Sequence, residues 1–540
     1  MGAQPEATDD TTGVESPPGL ARGPDRRRRR GSALWGLVGA ALVLVGAGAL
    51  VASTAPGSDA GARVVGGNPP VNAGAGDPLD ISAHNSPSLV RSPVAASELA
   101  VADRIDTPRY SCALHLSTDG GESWRQIPIP APRGEEPKCY APDVAFGADG
   151  TLHLSFVTLK GTGNVPNAVW LASMRRGQRT LSEPKKVLGA LAFQVRLVAD
   201  PDAPRRLYLS WLQGSDVALF RFVRPGNPIR LMRSDDGGAS WSKPTRVSNP
   251  ARARVVAPSA ALGHGGEVYV LYLDLGEDRL DYEGAHNGRG GPPYPGPWKL
   301  VLARSRDRGA TWEESVVEPR LVPSGRFIVF IPPFPSLAID RKSNRVYASF
   351  SDSRFGDPDV RVWTLANGAS SWQSTRVNDT PRGDRTSQYL PKLAVAPNGR
   401  LDVVYYDRRR DPHNVQNEVS LQSSYDHGAS FTKRTTLSQR PFDSRIGFGS
   451  DRGLPDLGSR LGLLSTKDRA FAVWTDTRAG TQASGKQDLA RALIAITSPD
   501  KLSDPVKYPL GYGGALLSLA GLALLGSWAI AATAAKRVSS

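Results

Sequence analysis

Short apolar stretches recur along the middle of the chain. Residues 152–157, 207–212, 268–273, 346–350, 401–406 and 470–474 alternate or run apolar over five or six positions. That length and pattern predict sheet strands packed on both faces rather than helices. Before each lies a shorter stretch built on one phrase. Its copies are Pro87-Ser-Leu-Val, Pro142-Asp-Val-Ala, Val195-Arg-Leu-Val, Pro258-Ser-Ala-Ala, Pro335-Ser-Leu-Ala, Pro391-Lys-Leu-Ala and Pro455-Asp-Leu-Gly. Asp149-Gly150 and Asn398-Gly399 supply hairpin turns between the two kinds of stretch. Seven copies of the phrase predict seven repeated units, with six the competing count if one end unit only decorates.

A second phrase, Ser-x-Asp-x-Gly-x-Ser/Thr-aromatic, occurs four times: at Ser117, Asp119, Gly121 and Trp124; at Ser234, Asp236, Gly238 and Trp241; at Ser305, Asp307, Gly309 and Trp312; and at Ser424, Asp426, Gly428 and Phe431. The Ser and Asp side chains can close a turn by bonding backbone N–H groups a few residues on, and Gly supplies the positive φ of a tight hairpin. The aromatic ring is expected to fold back over the hairpin it ends. Phrase starts lie 117, 71 and 119 residues apart, so two gaps are close to twice 59. Decayed copies stand where that period needs them, at Ser173–Gly177 and at Asn367-Gly368. A period near 60 suits four strands with generous loops.

These four phrases resemble the Asp-box, or BNR, repeat of sialidases and sialidase-like β-propellers. The resemblance implies an all-β, seven-bladed (alternatively six-bladed) sialidase-like β-propeller. It also implies that the boxes are structural and lie on the face opposite the functional site.

Both ends of the chain depart from this pattern. Residues 1–30 are rich in Pro, Gly and charge, end in five arginines, Arg26 to Arg30, and read as a disordered tail. Residues 31–55 form an uncharged segment long enough for a transmembrane helix, with a cleaved signal peptide as the competing reading. Residues 56–85 read as a linker, 86–500 as the propeller, 508–535 as a second transmembrane helix and 536–540 as a tail with Lys536 and Arg537. Basic residues on the terminal side of each span place both termini in the cytoplasm and the propeller outside.

Charge and cysteine content sharpen this picture a little. A net charge of +14 carried on a chain with no aromatic-interleaved basic motif favours anionic lipid or acidic glycan over nucleic acid. The two cysteines, Cys112 and Cys139, can form a disulfide in an oxidising outer compartment. No cofactor motif is present and no Cys/His cluster of metal-binding type is evident; calcium among the top-face aspartates stays an open alternative, although no loop has a defined ligand spacing for it.

Strand order assigns the faces. With the Asp-boxes between third and fourth strands at the bottom, the top receives the ends of the second strands and the long loops at 275–298, 318–333 and 438–454. A shared signature falls there: Asp103-Arg104, Asp352-Ser-Arg354, Asp407-Arg408 and Asp476-Thr-Arg478. It reads either as a repeat-encoded ion pair or as a ring of guanidinium groups facing an anionic ligand. Resemblance to exo-sialidases, which use an arginine triad, a Tyr nucleophile with a Glu partner, and an Asp acid/base, implies Arg91 with Arg354 and Arg408 for the triad. It implies Tyr389 as nucleophile, Asp106 as acid/base, and Glu277 or Glu283 as the partner. The chain is therefore expected to be a membrane-tethered propeller that recognises a glycan or protein partner, with exo-sialidase and membrane-assembly scaffold as alternatives.

Overall fold

The computed structural model describes residues 26–54, 60–77, 79–216, 226–278, 296–323, 333–447, 457–499 and 504–538. They form two compact units, one of residues 60–498 and one containing the terminal helices.

The larger unit is a seven-bladed β-propeller. In chain order, six blades begin with the inner strands His84–Arg91, Cys139–Phe146, Ala192–Ala199, Val255–Leu262, Ser336–Asp340 and Gln388–Val395, and each continues outward through three consecutive antiparallel strands. The seventh begins at Gly462–Ser465 and takes its outermost strand from Gly61–Val65, paired antiparallel with Asp488–Thr497. The segment expected to be a linker thus closes the ring, which the weak pattern of a five-residue edge strand did not announce. The seventh inner strand also starts later than the Pro455 phrase predicts. Residues 448–456, including Pro455, lie outside the described residues.

Second strands are buried over nearly their whole length, as at Val268–Asp274, because each blade packs against both neighbours. The core is correspondingly a ring of layers between blades, with Trp211, Trp363 and Trp474 fully buried in it.

The four Ser-x-Asp-x-Gly turns follow the third strands of the first, third, fourth and sixth blades. In the first, Ser117 Oγ accepts from Gly121 N–H at 2.8 Å and donates to Asp119 at 2.7 Å, while Asp119 accepts from Ser123 N–H at 3.0 Å. The same bonds recur at Ser234, Ser305 and Ser424. Each glycine also faces the preceding blade. A Cβ on Gly238 would lie 2.1 Å from Leu171, and one on Gly309 would lie 2.7 Å from Leu231. The aromatic residues do more than cap their own hairpins. Trp124 donates to Gly121 O at 3.2 Å and sets its ring 6.2 Å from Phe471 of the seventh blade, whereas Trp312 donates to Thr245 of the third blade. The turn is an interblade clamp.

Cys112, in the third strand of the first blade, is bonded to Cys139, which opens the second, with Cα atoms 5.5 Å apart.

In the smaller unit, Arg26–Thr54 and Asp504–Val538 are helices packed antiparallel through glycines. A Cβ on Gly39 would sit 3.0 Å from Gly521 O, and one on Gly46 would sit 2.5 Å from Gly514 O. Small residues here let two apolar helices approach backbone to backbone. One stretch, Leu510–Ala534, is long and apolar enough to cross a membrane; the apolar part of the first helix among the described residues is the shorter Leu34–Leu50. Two spans are therefore not established by length and composition.

Candidate functional site

Inner strands enter from the face opposite the clamps, and there they share a distortion. Ser86, Ala141, Gln194, Ala257 and Leu390 have φ between 48 and 59°, and the pairing of each inner strand with its neighbour slips at that point. Four of these residues precede the prolines of the repeated phrase. Pro has no N–H for the ladder and disfavours αR in the residue before it, so a bulge absorbs the mismatch. The seventh blade places Gly458 at φ 89°, where a Cβ would lie 2.5 Å from Ser86 N. The bulges turn the flanking side chains toward the axis.

A small cavity results, lined chiefly by Ser86, Arg104, Tyr140, Gln194, Phe334 and Arg460. Arg104 lies over the Tyr140 ring, 5.3 Å from its centroid, and donates to its hydroxyl at 3.3 Å. Asp106 holds that guanidinium from its other side at 2.7 and 2.9 Å, and is itself held by Asn85 at 2.8 Å. Gln194 accepts from Ala257 N–H at 2.7 Å, which leaves its Nε2 group buried without a partner. Phe334 N–H donates to Ser459 O at 3.1 Å, so the fifth blade reaches the seventh across the axis. Arg460 donates to the carbonyl oxygens of Ser86 (3.0 Å) and Pro142 (2.5 Å). Burial, followed by the repulsion of Arg196, pulls its pKa down to about 9. A cation–aromatic pair, a second aromatic ring and several inward donors thus share one concave space.

The other sequence candidates lie elsewhere. Arg91 pairs with Leu99, which faces Ser117, so it stands at the clamp end of its strand and not on the top face. Its local resemblance to a first-strand arginine motif carried no information about which end of the strand it occupies. Arg354 is held by Asp352 and by Glu318 at 2.8 Å. Arg478 is paired with Asp476 at 2.8 Å. In the sixth blade the equivalent partner of Asp407 is Arg409, at 2.7 Å, and not Arg408. In these three blades the signature is therefore Asp-x-Arg, an ion pair within the blade, whereas in the first blade Asp103 is taken by two histidines and Arg104 pairs with Asp106. Arg408 instead turns inward onto Tyr389, and the tyrosine hydroxyl also meets Asn417. Glu277 is exposed and paired with Arg254 of its own blade at 2.9 Å. Glu283 lies outside the described residues. Of the candidates, Arg104 and its partner Asp106 belong to the cavity region. Tyr140, Gln194, Phe334 and Arg460 were missed, although the first three stand one or two positions before the repeated phrase, and a bulge adjoins Tyr140 and Gln194.

One group of metal-ligating type gathers among the described residues: His84, Asp103 and His115, all buried. His84 Nδ1 and His115 Nε2 meet opposite oxygens of Asp103 at 2.6 and 2.9 Å. These are hydrogen-bond lengths, and they occupy both carboxylate oxygens. Burial works to raise the Asp103 pKa, but the two imidazoles outweigh it and hold the carboxyl below its usual range. Burial likewise works to lower that of His84, and Asp103 overcomes it. The triad braces three strands of the first blade.

No family model matches the chain, and no curated protein is similar to it. Among solved structures it is similar to a protein of unknown function from Dyadobacter fermentans, with 15% identity, 81% of this chain and 100% of that one covered, and a TM-score of 0.45. It is also similar to an alpha-L-arabinofuranosidase from Fusarium graminearum, with 14% identity, 67% and 98% covered, and a TM-score of 0.41. A Trypanosoma rangeli sialidase gives 10% identity, 67% and 59% covered, and a TM-score of 0.40.

Proposed function

We propose that the chain is a membrane-tethered, sialidase-like propeller that recognises a glycan through the cavity at the top of its axis. The observation that carries this reading is the combination inside one concave site of a stacked Arg104–Tyr140 pair, the Phe334 ring, the Arg460 guanidinium and the unpartnered Nε2 of Gln194. Sugars offer apolar ring faces for aromatic contact and a crown of acceptors for such donors. A protein partner meeting the top loops is the other form of the same recognition role.

The exo-sialidase alternative rests on Tyr389 and Arg408 meeting at the top end of the sixth blade. Against it, Arg354 and Arg478 are matched by carboxylates of their own surroundings, and Arg91 is on the other face. A scaffold in a membrane assembly draws support only from the helix pair.

Tethering by two spans draws support from the glycine-packed helices and from the outward apolar side chains Leu34, Trp35, Leu516 and Ile530. With basic residues flanking both, the termini would be cytoplasmic and the propeller outside. The experiment is a glycan array with the full chain in detergent, beside a fluorogenic sialoside assay. Gln194→Glu keeps the acceptor used by Ala257 and removes the free donor. Loss of glycan binding in this variant at unchanged Tm is expected; binding that persists would move the ligand away from the cavity.

A further inference from the structure

Beneath the cavity, the inner strands bring one residue each to a single level of the axis. Pairing resumes after the bulge at Ser88, Asp143, Arg196, Ser259 and Lys392 in five blades, and Ser336 opens the pairing of the fifth blade. The seventh contributes Arg460, which reaches to 4.0 Å from Asp143. This level therefore carries three cations and one carboxylate.

That carboxylate is already committed. Asp143 accepts from the Ser88 hydroxyl and from Leu197 N–H at 2.8 Å, and meets Arg196 at 3.4 Å. Burial works to raise its pKa, but Arg196 and Arg460 outweigh it, so the group stays ionised. The cations are not matched in return. Arg196 NH1 is buried with no hydrogen-bond partner, whereas Lys392 is half-buried and joins no ion pair among the described residues. Ser336 Oγ accepts from Leu393 N–H at 2.9 Å, which leaves its own hydrogen to donate. Above, the Phe334 ring lies 5.4 Å from the Arg196 guanidinium and covers it.

Three partly buried cations that share one carboxylate are costly, and arginine cannot shed its proton to escape the cost. Burial, then Arg196 and Arg460, pull the Lys392 pKa down to about 8, which still leaves much of it charged at neutral pH. We infer that the axis of the propeller is a binding site for a small inorganic anion, held between Arg196, Lys392 and Arg460 with the Ser336 hydroxyl. This site lies below the proposed glycan cavity, stands independently of that reading, and would be filled whether or not a glycan is bound.

The test uses the full chain in detergent at constant ionic strength and pH, with chloride or bromide exchanged stepwise for gluconate, which is too large to enter. Midpoints of thermal unfolding should rise saturably with halide, by roughly 2–4 °C for a site of modest affinity. Sulfate and phosphate arms separate a halide site from an oxyanion site by which anion saturates at the lower concentration. Lys392→Met should lose the dependence. A direct reading, valid even if that variant fails to fold, is a bromide anomalous peak in wild-type crystals beside Lys392 Nζ. A flat midpoint across all anions, or no anion density on the axis in crystals grown in the anion that saturates first, would overturn the inference.

Discussion

Arg408 sits over the ring of Tyr389, 4.8 Å from its centroid, and donates to the same residue's hydroxyl at 3.0 Å. It also donates to Asn417 at 2.8 Å and Ser444 at 2.9 Å. This buried knot ties the inner strand of the sixth blade to its second and third strands. Tyr389→Phe should therefore cost about 1–3 kcal/mol by stranding Arg408 and Asn417, with glycan binding by the folded protein unchanged. Denaturant unfolding beside the array measures both. Sialoside turnover that vanishes in this variant without a stability loss would favour the enzyme reading.

The interblade clamps make a separable prediction. Gly238 has φ 87° and faces Leu171, so Gly238→Ala meets both backbone strain and a steric clash. A loss of about 1–3 kcal/mol is expected. Asp236→Ala removes only turn-closing bonds at a half-buried position and should cost less, about 0.5–1.5 kcal/mol. Neither should alter ligand affinity, since both sit at the far face from the cavity.

Acid should loosen the same clamps. Bonds from the Thr311 hydroxyl and N–H hold the Asp307 carboxyl down at about 2, against an ordinary value of 3.8. Asp119 and Asp236 are depressed in the same way by Ser123 and Ser240. A carboxyl with a lowered folded-state pKa stabilises above its unfolded value, and that contribution is lost as pH falls through the folded one. Tm should thus fall between pH 4 and 2 in the wild type, and Asp307→Asn should flatten part of that slope.

The disulfide joins two blades rather than two strands of one. Cys112 and Cys139 are 27 residues apart, for which loop-closure entropy predicts about 3–4 kcal/mol. Non-reducing mass spectrometry should find one linked peptide, and reduction should lower the unfolding midpoint by a matching amount. Two free thiols in protein taken from its native compartment would contradict an outer location.

Ring closure depends on residues 61–65. A propeller beginning at Ala60 should unfold cooperatively, whereas one beginning at Gly66 lacks the strand paired with Asp488–Thr497 and loses the cover that Ala62 and Val64 give the seventh-blade core. Proteolysis and thermal unfolding should separate the two, and equal stability would mean that the closing strand is dispensable.

The repeated architecture was legible in the residues themselves. Hydrophobic alternation marks the second strands, and Pro and Gly impose local backbone conditions that any fold must meet at those positions. Counting the Pro phrase therefore counts blades, and the Ser-x-Asp-x-Gly phrase marks the turn between third and fourth strands. Local rules could not say what those turns touch. Trp124 meets Phe471, and Gly238 meets Leu171, only because the ring sets consecutive blades face to face. Nor could they tell Arg408 from Arg409. The two are adjacent in sequence, and the turn that follows the strand Leu401–Asp407 sends one to Tyr389 and the other to Asp407. The axial cations are the clearest case. Arg196, Lys392 and Arg460 are scattered over 265 positions, and each alone reads as a surface charge. Closure of the seven blades by residues 61–65 brings them to one enclosed level, where the loss of water turns unremarkable charges into a site.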